Sequence, residues 1–301
     1  MALDPASAWR TVRLLKAERF DLLHVHEPLT PLVPWVALWS AAVPIVGTFH
    51  VYREHGHRLY SIGRPILRPL INRLAHRIAV SEAARRTVAR YFPGTYEIVP
   101  NGIDVAEFTA PRQRPPSLST NHRHVLYIGR LEPRKGVEYL IRAMGQLQRA
   151  LPDARLIVAG DGPERRRLTA LAGECGADVS FLGRVANPDL PAYIQASDLV
   201  CSPALGGESF GIVLLEAMAC GRPVVASRID GYVGLIGDVQ CGTLVPPGDV
   251  DGLEHALRPL LQDAELRRTL GARGAAAARA YDSVAIARRL DAIYRRVRPS
   301  V

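Results

Sequence analysis

The most informative feature of the sequence is a glycine-rich stretch that carries two acidic residues: Gly206, Gly207, Glu208, Ser209, Phe210, Gly211 and Glu216. It follows a short apolar run at 199–201, so we expect it to begin where a strand ends. Ser209 is a suitable N-cap residue, which predicts a helix over 210–220 whose free N–H groups attract a phosphate. Glu216 would then lie roughly 10 Å farther along the helix axis than Glu208. One carboxylate could thus address a sugar while the other reaches a ribose beyond a diphosphate. The structural alternative is a capped helix in which Glu216 is simply ion-paired.

A basic segment at 129–136 supplies the opposite charge. It connects an apolar run at 124–129 to a helical pattern and contains Arg130, Arg134 and Lys135. Arg130 offers a fork of donors and Lys135 a point charge, so the two can converge on a diphosphate. They would stabilise the negative charge that builds on a departing diphosphate. We expect Arg134 to point to solvent.

Short apolar runs alternate with helical patterns along most of the chain. In the second half the runs lie at 124–129, 154–159, 179–182, 199–201, 223–226 and 243–245, and the helical patterns at 136–150, 164–173, 187–196 and 210–220. In the first half a helix at 6–17 precedes runs at 21–26, 45–49, 77–80 and 96–99. Near-continuous apolar strands separated by helices predict parallel sheets that are covered on both faces.

The proline-rich segment 111–120 is typical of a linker between domains. The predicted fold class is therefore α/β, with two doubly wound domains. Ligands of such sheets bind beyond the carboxyl ends of the strands, so we expect the site in a cleft between the domains.

The chain is ordinary in hydrophobic content but strongly basic. It is 48% hydrophobic and has 38 Lys+Arg against 29 Asp+Glu, a formal net charge of +9. Within the basic region 53–90, four apolar residues recur every four positions with arginines between them: Ile66, Leu70, Leu74 and Ile78. This spacing predicts an amphipathic basic helix over 64–78. Such a helix either lies on an anionic membrane or buries its apolar stripe against the sheet.

Two other classes of function find little support. The four cysteines, Cys175, Cys201, Cys220 and Cys241, lack metal-ligand spacing and are expected to be reduced thiols, so no metal site is predicted. No aromatic-interleaved basic stretch or recognition signature indicates a nucleic-acid partner. Because the first residues lack the pattern of a secretory leader, we expect a cytoplasmic protein that can lie peripherally at the inner face of the membrane.

Several motifs in one order resemble the family 4 retaining glycosyltransferases, which have the GT-B fold. The pattern Gly-Arg-x-x-x-x-Lys-Gly at 129–136 is followed by Glu208 and Glu216. Further matches are His-Glu-Pro at 26–28, Gly-Thr-Phe-His at 47–50, Ala-Val-Ser at 79–81, Pro-Asn-Gly-Ile-Asp at 100–104 and Glu-Ala-Met-Ala at 216–219. The resemblance runs from about residue 21 to the C-terminus and is greatest to the phosphatidylinositol mannosyltransferases.

The resemblance implies roles for matching residues. Arg130 and Lys135 would hold the diphosphate of a GDP- or UDP-linked sugar donor. Glu208 would contact the donor sugar, helped by the N–H groups of Ser209 and Phe210, while Glu216 would bind the ribose. His50, at the end of a first-domain strand, would contact the transferred sugar; the alternative is a histidine satisfied by its strand-end neighbours. Further donor contacts are expected from Gly129, Gly160, Gly162, Arg184, Val185, Gly207 and Gly211.

The implied reaction moves a sugar, mannose being favoured, to a hydroxyl of a lipid or polysaccharide with retention at the anomeric carbon. No carboxylate can be assigned as a covalent nucleophile, and Arg130 and Lys135 would take the place of a metal ion. No cofactor is expected. The donor nucleotide and the acceptor are not fixed by these residues.

The resemblance also implies a domain plan. We expect a first, acceptor-side domain over 1–118, a nucleotide-sugar domain over 119–281, and a C-terminal helix over 282–301 that crosses back to the first domain. The opening strand and glycine-rich loop of the family are absent from the first domain, which we therefore expect to be truncated. An inactive nucleotide-sugar-binding protein is accordingly the main alternative to an enzyme; a GT-B epimerase or phosphorylase is a further one.

Overall fold

The computed structural model describes residues 4–54, 56–237 and 239–298. They fold as two α/β units: Gly102–Ser283 is one, and the described residues before and after it are the other. Residues 299–301, the end of the predicted C-terminal segment, lie outside the described residues.

Helices and strands alternate along most of the chain. The helices are α1 Pro5–Ala17, α2 Val33–Ser40, α3 Arg58–Ile62, α4 Arg64–Ile71, α5 Glu82–Ala89, α6 Val105–Thr109, α7 Val137–Leu147, α8 Arg165–Cys175, α9 Leu190–Ala196, α10 Ile212–Ala219, α11 Asp230–Ile236, α12 Val250–Gln262, α13 Ala264–Ala278 and α14 Ser283–Val297. The strands are β1 Leu23–His26, β2 Ile45–Phe49, β3 Leu74–Ala79, β4 Glu97–Ile98, β5 Arg123–Ile128, β6 Ala154–Ala159, β7 Val179–Gly183, β8 Leu199–Ser202, β9 Val224–Ser227 and β10 Gly242–Val245. The exceptions are that α4 follows α3 directly and that α12, α13 and α14 follow one another. Short 3-10 turns lie at Pro133–Lys135, Asn187–Asp189 and Arg279–Tyr281.

The first unit has a parallel sheet in the order β1-β2-β3-β4. One face packs against the apolar sides of α2 and α4, through Leu38 and Leu67 among others. On the other, Ile286 and Ile293 of α14 pack against Val46 of β2. The C-terminal helix thus belongs to the first unit, although the residues just before it belong to the second.

The predicted helix over 64–78 is wrong. Helix α4 ends at Ile71, and Leu74 begins strand β3. A four-residue spacing fits a strand as well as a helix, because it is also a multiple of the two-residue strand repeat. The pairing of β2 with β3 shifts register between Ile45 and Val46, and Leu74 and Ile78 consequently enter different apolar clusters.

The second unit has a six-stranded parallel sheet in the order β10-β9-β8-β5-β6-β7. Counted from β5, this is the 3-2-1-4-5-6 order of doubly wound nucleotide-binding folds. Two apolar clusters cover its faces; one contains Leu140 and Met144 of α7, the other Leu214 and Met218 of α10. The i, i+4 spacing of each pair places both side chains on one side of their helix.

The boundary expected at residue 118 is also wrong. Residues 102–118 belong to the second unit, because Phe108 of α6 and Leu118 of the supposed linker are buried in its core. Ile103 and Asp282 form a parallel bridge, in which the Ile103 N–H donates to the Tyr281 carbonyl at 3.0 Å and the Ser283 N–H to the Ile103 carbonyl at 2.8 Å. Within the described ranges, no helix is long and apolar enough to cross a membrane.

Candidate active site

The strand order of the second unit singles out one place for a ligand. Strands β6 and β7 lie on one side of β5, and β9 and β10 lie on the opposite side, beyond β8. Strands β5 and β8 are paired with each other, so the direction of the strand order reverses between them. Ligands of doubly wound sheets bind beyond the carboxyl ends of strands at such a switch point. The segments that follow β5 and β8 are 129–136 and 203–211; the first was selected from the sequence, and the second contains the beginning of the selected stretch 206–216.

An ion pair joins these two segments. Lys135 Nζ lies 2.9 Å from Glu208 Oε1, and the two side chains are only 18% and 17% exposed. The Arg134 guanidinium also donates to Glu208 Oε1. The expectation that Arg134 points to solvent is therefore wrong, because the Glu208 carboxylate is close enough to attract the guanidinium as well as the Lys135 ammonium. Glu208 thus pairs with Lys135 and Arg134, two cations that could otherwise bind a diphosphate.

Glu132 links the remaining charges of the basic segment. Arg130 Nη2 lies 3.0 Å from one Glu132 oxygen, and Arg134 Nε lies 3.1 Å from the other. The Arg130 side chain is 75% exposed, so it is free to turn towards a ligand. Burial alone would lower the pKa of Arg134, but the hydrogen bond and charge of Glu208 outweigh it and raise that pKa. The segment thus presents three permanent cations around two carboxylates.

Helix α10 begins later than expected. It starts at Ile212, with Gly211 as the N-cap residue at φ 90°, and Ser209 supplies no side-chain cap. The predicted cap at Ser209 is wrong because a backbone in the left-handed region, which glycine adopts readily, makes the turn into the helix. A residue that the sequence did not single out shapes this loop as well. A Cβ on Gly231 of α11 would lie 1.9 Å from the Glu208 carbonyl oxygen, so only glycine lets the Glu208 backbone pass.

Glu216 is the one charged residue of α10, whose other seven side chains are apolar. It is half-buried, and the structure shows no hydrogen-bond or ion-pair partner for it among the described residues. Burial, with a smaller contribution from the nearby Glu107 carboxylate, raises the pKa of Glu216 to about 7. The structural alternative of an ion-paired glutamate therefore does not hold. A partner with hydroxyl donors would satisfy this carboxylate.

A cavity of about 560 Å³ opens beside the basic segment. Its walls include five residues expected to bind a donor, as well as Arg130: Gly129, Gly160, Gly162, Arg184 and Val185. These residues follow β5, β6 and β7, so the cavity lies at the carboxyl edge of the sheet. Its size is that of a pocket for a small organic ligand. Gly207, Phe210 and Gly211 lie in the neighbouring loop after β8 and do not line it.

In the first unit, His50 directly follows β2 and sits among fixed partners. His50 Nε2 and His26 Nδ1 share a hydrogen bond of 2.7 Å. Glu27 Oε1 accepts from the His50 N–H and, at 2.6 Å, from the Val51 N–H. Glu27 has φ 49°, an unusual conformation for a residue with a side chain, and this turns its carboxylate back onto the strand end. The His-Glu-Pro motif was noted in the sequence, but the role of Glu27 as a support for His50 was not.

A third histidine extends this cluster. His24 stacks on His26 at 4.5 Å between ring centroids, and its nitrogens bond Tyr294 Oη at 2.6 Å and Thr48 Oγ1 at 2.7 Å. Burial, with a smaller contribution from the neighbouring His26, lowers the pKa of both His24 and His50 to about 4. These two imidazoles are therefore neutral near pH 7. In the part of the chain that the structure describes, no group of three His, Cys, Asp or Glu side chains could hold a metal ion.

Two family models match the chain. The one described as "Glycosyl transferases group 1" matches residues 110–277, and the one described as "Glycosyltransferase Family 4" matches residues 1–107. The chain is 37% identical to the phosphatidyl-myo-inositol mannosyltransferase of Mycolicibacterium smegmatis, over 99% of this chain and 76% of that protein. It is 38% identical to the enzyme of the same name from Mycobacterium leprae, over 100% of this chain and 80% of that protein.

Solved structures agree with this placement. Anabaena HepE in complex with UDP and glucose superposes with a TM-score of 0.82 at 26% identity, over 98% of this chain and 82% of that one. Sucrose-phosphate synthase from Thermosynechococcus elongatus superposes with a TM-score of 0.76 at 27% identity, over 96% of this chain and 77% of that one. The chain therefore belongs to the GT-B glycosyltransferases, in the group that contains the phosphatidyl-myo-inositol mannosyltransferases.

Proposed function

We propose that this glycosyltransferase moves a hexose, mannose being favoured, from a nucleotide-sugar donor to a hydroxyl of a lipid or polysaccharide acceptor. The observation that carries the proposal is the Lys135–Glu208 pair at the switch point between β5 and β8. The names of the mycobacterial relatives favour mannose and a phosphatidyl-inositol acceptor. The bound UDP and glucose of the HepE structure favour a nucleotide-linked sugar.

The donor would be bound by the edge of the second sheet. Its base would enter the cavity lined by Gly160, Gly162 and Val185. Its ribose hydroxyls would donate to Glu216, which lacks a hydrogen-bond partner among the described residues. Its diphosphate would take Lys135, Arg134 and Arg130 as partners and so release Glu208 towards the sugar hydroxyls.

The transfer would proceed with retention and without a metal ion. The bond between the sugar C1 and the diphosphate oxygen breaks, and its electron pair stays on the diphosphate. The acceptor oxygen forms a bond to C1 on the same face, and its proton passes to the leaving diphosphate. Lys135 and Arg130 stabilise the charge of that leaving group. His50, neutral near pH 7, is the first unit's candidate contact to the transferred sugar.

The chain offers a matched control for the central residue. Only two of its basic residues are lysines, Lys135 and the exposed Lys16 on α1. We would measure binding and transfer with GDP-mannose, UDP-glucose and UDP-N-acetylglucosamine, using phosphatidylinositol as acceptor. Lys135→Ala and Glu208→Ala should each lose donor binding and transfer, while Lys16→Ala should behave as wild type. Binding without transfer would favour the alternative of an inactive nucleotide-sugar-binding protein, and wild-type affinity in Lys135→Ala would refute the donor site.

The first unit also carries a surface suited to a membrane-borne acceptor. Ile62 and Ile66, at α3 and α4, are 78% and 67% exposed. The exposed arginines Arg58, Arg64 and Arg68 lie along the same two helices. Apolar side chains among arginines favour peripheral contact with an anionic bilayer, although the supporting helices are shorter than the sequence predicted.

A vesicle experiment tests this contact. Wild-type protein should sediment with phosphatidylinositol vesicles at low salt, and Ile62→Ser with Ile66→Ser should sediment several-fold less. Val233→Ser removes an exposed apolar side chain from α11 and should change nothing. Equal sedimentation of all three proteins would exclude this surface.

A further inference from the structure

A second cavity of the second unit, of about 520 Å³, lies away from the candidate active site. It is bounded by the segment 108–114, by the ends of α9 and α10, and by α13. Helix α10 begins in the loop that carries Glu208 and, after eight residues, ends at this cavity. The two places are therefore separated by about 12 Å of helix. Neither the donor contacts nor the chemistry proposed above uses it.

The lining of this cavity is basic and contains no carboxylate. Arg112, Arg114 and Arg222 contribute to it, together with apolar residues such as Phe108 and Pro111. The ends of α9 and α10 bring partial negative charge, about half a unit each at most. Three permanent cations exceed that by about two charges. A net positive charge of about two, carried by arginine side chains, suits the charge and geometry of a phosphate group.

The positive charge of Arg222 has no carboxylate of its own to pair with among the described residues. Its guanidinium donates to the Gln195 carbonyl, but its Nε is buried and has no hydrogen-bond partner among the described residues. The nearby acid, Asp198, is engaged elsewhere: it lies 3.1 Å from Arg267 and accepts from the His124 N–H at 2.8 Å. Burial lowers the pKa of Arg222, and the neighbouring Arg114 lowers it further against the opposing charge of Asp198.

His124 is a second buried group that lies close to this positive charge. It lies at the start of β5, and its Nδ1 is also buried without a partner among the described residues. Burial lowers the pKa of His124, the Asp198 carboxylate opposes this shift, and Arg114 is among the cations that add to it. A positive field thus extends from the cavity to the amino edge of the sheet. A bound anion would oppose the part of both shifts that comes from the neighbouring cations.

We propose that this cavity is a second anion site, in which Arg112, Arg114 and Arg222 bind the phosphate group of a small phosphomonoester. Each guanidinium presents several N–H donors, so three of them can surround the oxygens of one phosphate. The apolar walls leave room for the organic part of the ligand. This site does not depend on the donor site at the other end of α10.

Calorimetric titration of the full chain with inorganic phosphate, and then with glycerol 3-phosphate, tests the proposal. All titrations use Lys135→Ala, so that the basic segment at 129–136 contributes less. Adding Arg112→Ala and Arg114→Ala should weaken binding at least tenfold. Adding Arg142→Ala and Arg149→Ala removes two exposed arginines of the same unit and should leave affinity unchanged. The Nε–H resonance of Arg222 should shift on saturation.

Three results would overturn the site. One is an absence of phosphate binding once Lys135 is removed. Another is equal weakening by both arginine pairs, which would indicate net charge alone. The third is binding with no shift of the Arg222 resonance. Vesicles of phosphatidic acid distinguish the source of the phosphate: competition by them supports the site with a lipid headgroup as ligand, and a response to glycerol 3-phosphate alone supports it with a free phosphomonoester.

Discussion

Replacing Glu216 by Gln should stabilise the protein at alkaline pH. The pKa of Glu216 is raised from 4.5 to about 7 because the carboxylate is buried in an apolar helix. The folded protein thus retains this proton up to about pH 7, whereas the unfolded chain releases it near pH 4.5. The stability that the protonated group contributes is complete below pH 4.5 and is lost as pH rises through 7. At about 1.4 kcal/mol per pKa unit, the loss is about 3 kcal/mol above pH 8.

Urea unfolding of wild type and Glu216→Gln at pH 4.5 and pH 8.5 measures this directly. The two proteins should differ little at pH 4.5, and the variant should be more stable at pH 8.5 by up to about 3 kcal/mol. Glu174→Gln removes an exposed carboxylate of α8 and should show no such pH-dependent gain. A variant no more stable than wild type at pH 8.5 would refute the argument.

The same substitution should harm donor binding. An ionised carboxylate that accepts ribose hydroxyls contributes about 1.5–3 kcal/mol, so affinity should fall roughly tenfold to a hundredfold. Donor affinity of wild type should rise with pH through 7, because binding favours the ionised form of Glu216. The variant should lose that pH dependence. Opposite signs for stability and affinity are what distinguish a binding carboxylate from a structural one.

Three further predictions concern the loops and the histidine cluster. Gly231→Ala should displace the loop around Glu208 and lower donor affinity at least tenfold by calorimetry, since its Cβ would overlap a backbone carbonyl; an unchanged affinity would mean that the loop adapts freely. Glu27→Ala should leave the His50 N–H without its acceptor and destabilise the first unit by about 1–3 kcal/mol in urea unfolding, whereas near-wild-type stability would show that water replaces the carboxylate. Burial lowers the pKa values of His24 and His50, so the stability that these neutral imidazoles contribute above pH 6.5 is lost as pH falls towards 4. His24→Gln should therefore make the melting temperature depend less on pH on the acid side. A melting-temperature profile identical to that of wild type would contradict the lowered pKa values.

Strands of the parallel sheets were predictable because burial on both faces makes them nearly continuous apolar runs. The runs at 45–49 and 154–159 coincide with β2 and β6. The region 64–78 was not predictable from the apolar pattern, because a spacing of four residues fits both a helix and a strand. The break between Ile71 and Leu74 depends on pairing with β2, which is a long-range contact.

The candidate site was predictable as a set of segments but less so as a set of contacts. The sequence predicted that each of the two charged segments follows a parallel strand, and the structure joins them through Lys135 and Glu208. The direction of Arg134 and the cap at Gly211 depend on local backbone angles, which residue type alone does not determine. Gly231 lies in a different part of the sequence and acts only through its missing Cβ.

The Ile103–Asp282 bridge places the two ends of the second unit side by side. In terms of chain topology, the second unit is therefore an insertion into the first, which contributes both the opening residues and α14. Such an insertion has two junctions at neighbouring points, so residues 102–283 can be exchanged as one continuous piece. Recombination between related enzymes at these junctions would transfer the Lys135–Glu208 pair with its whole sheet, while the histidine cluster stayed behind. Donor and acceptor preference could thereby evolve separately.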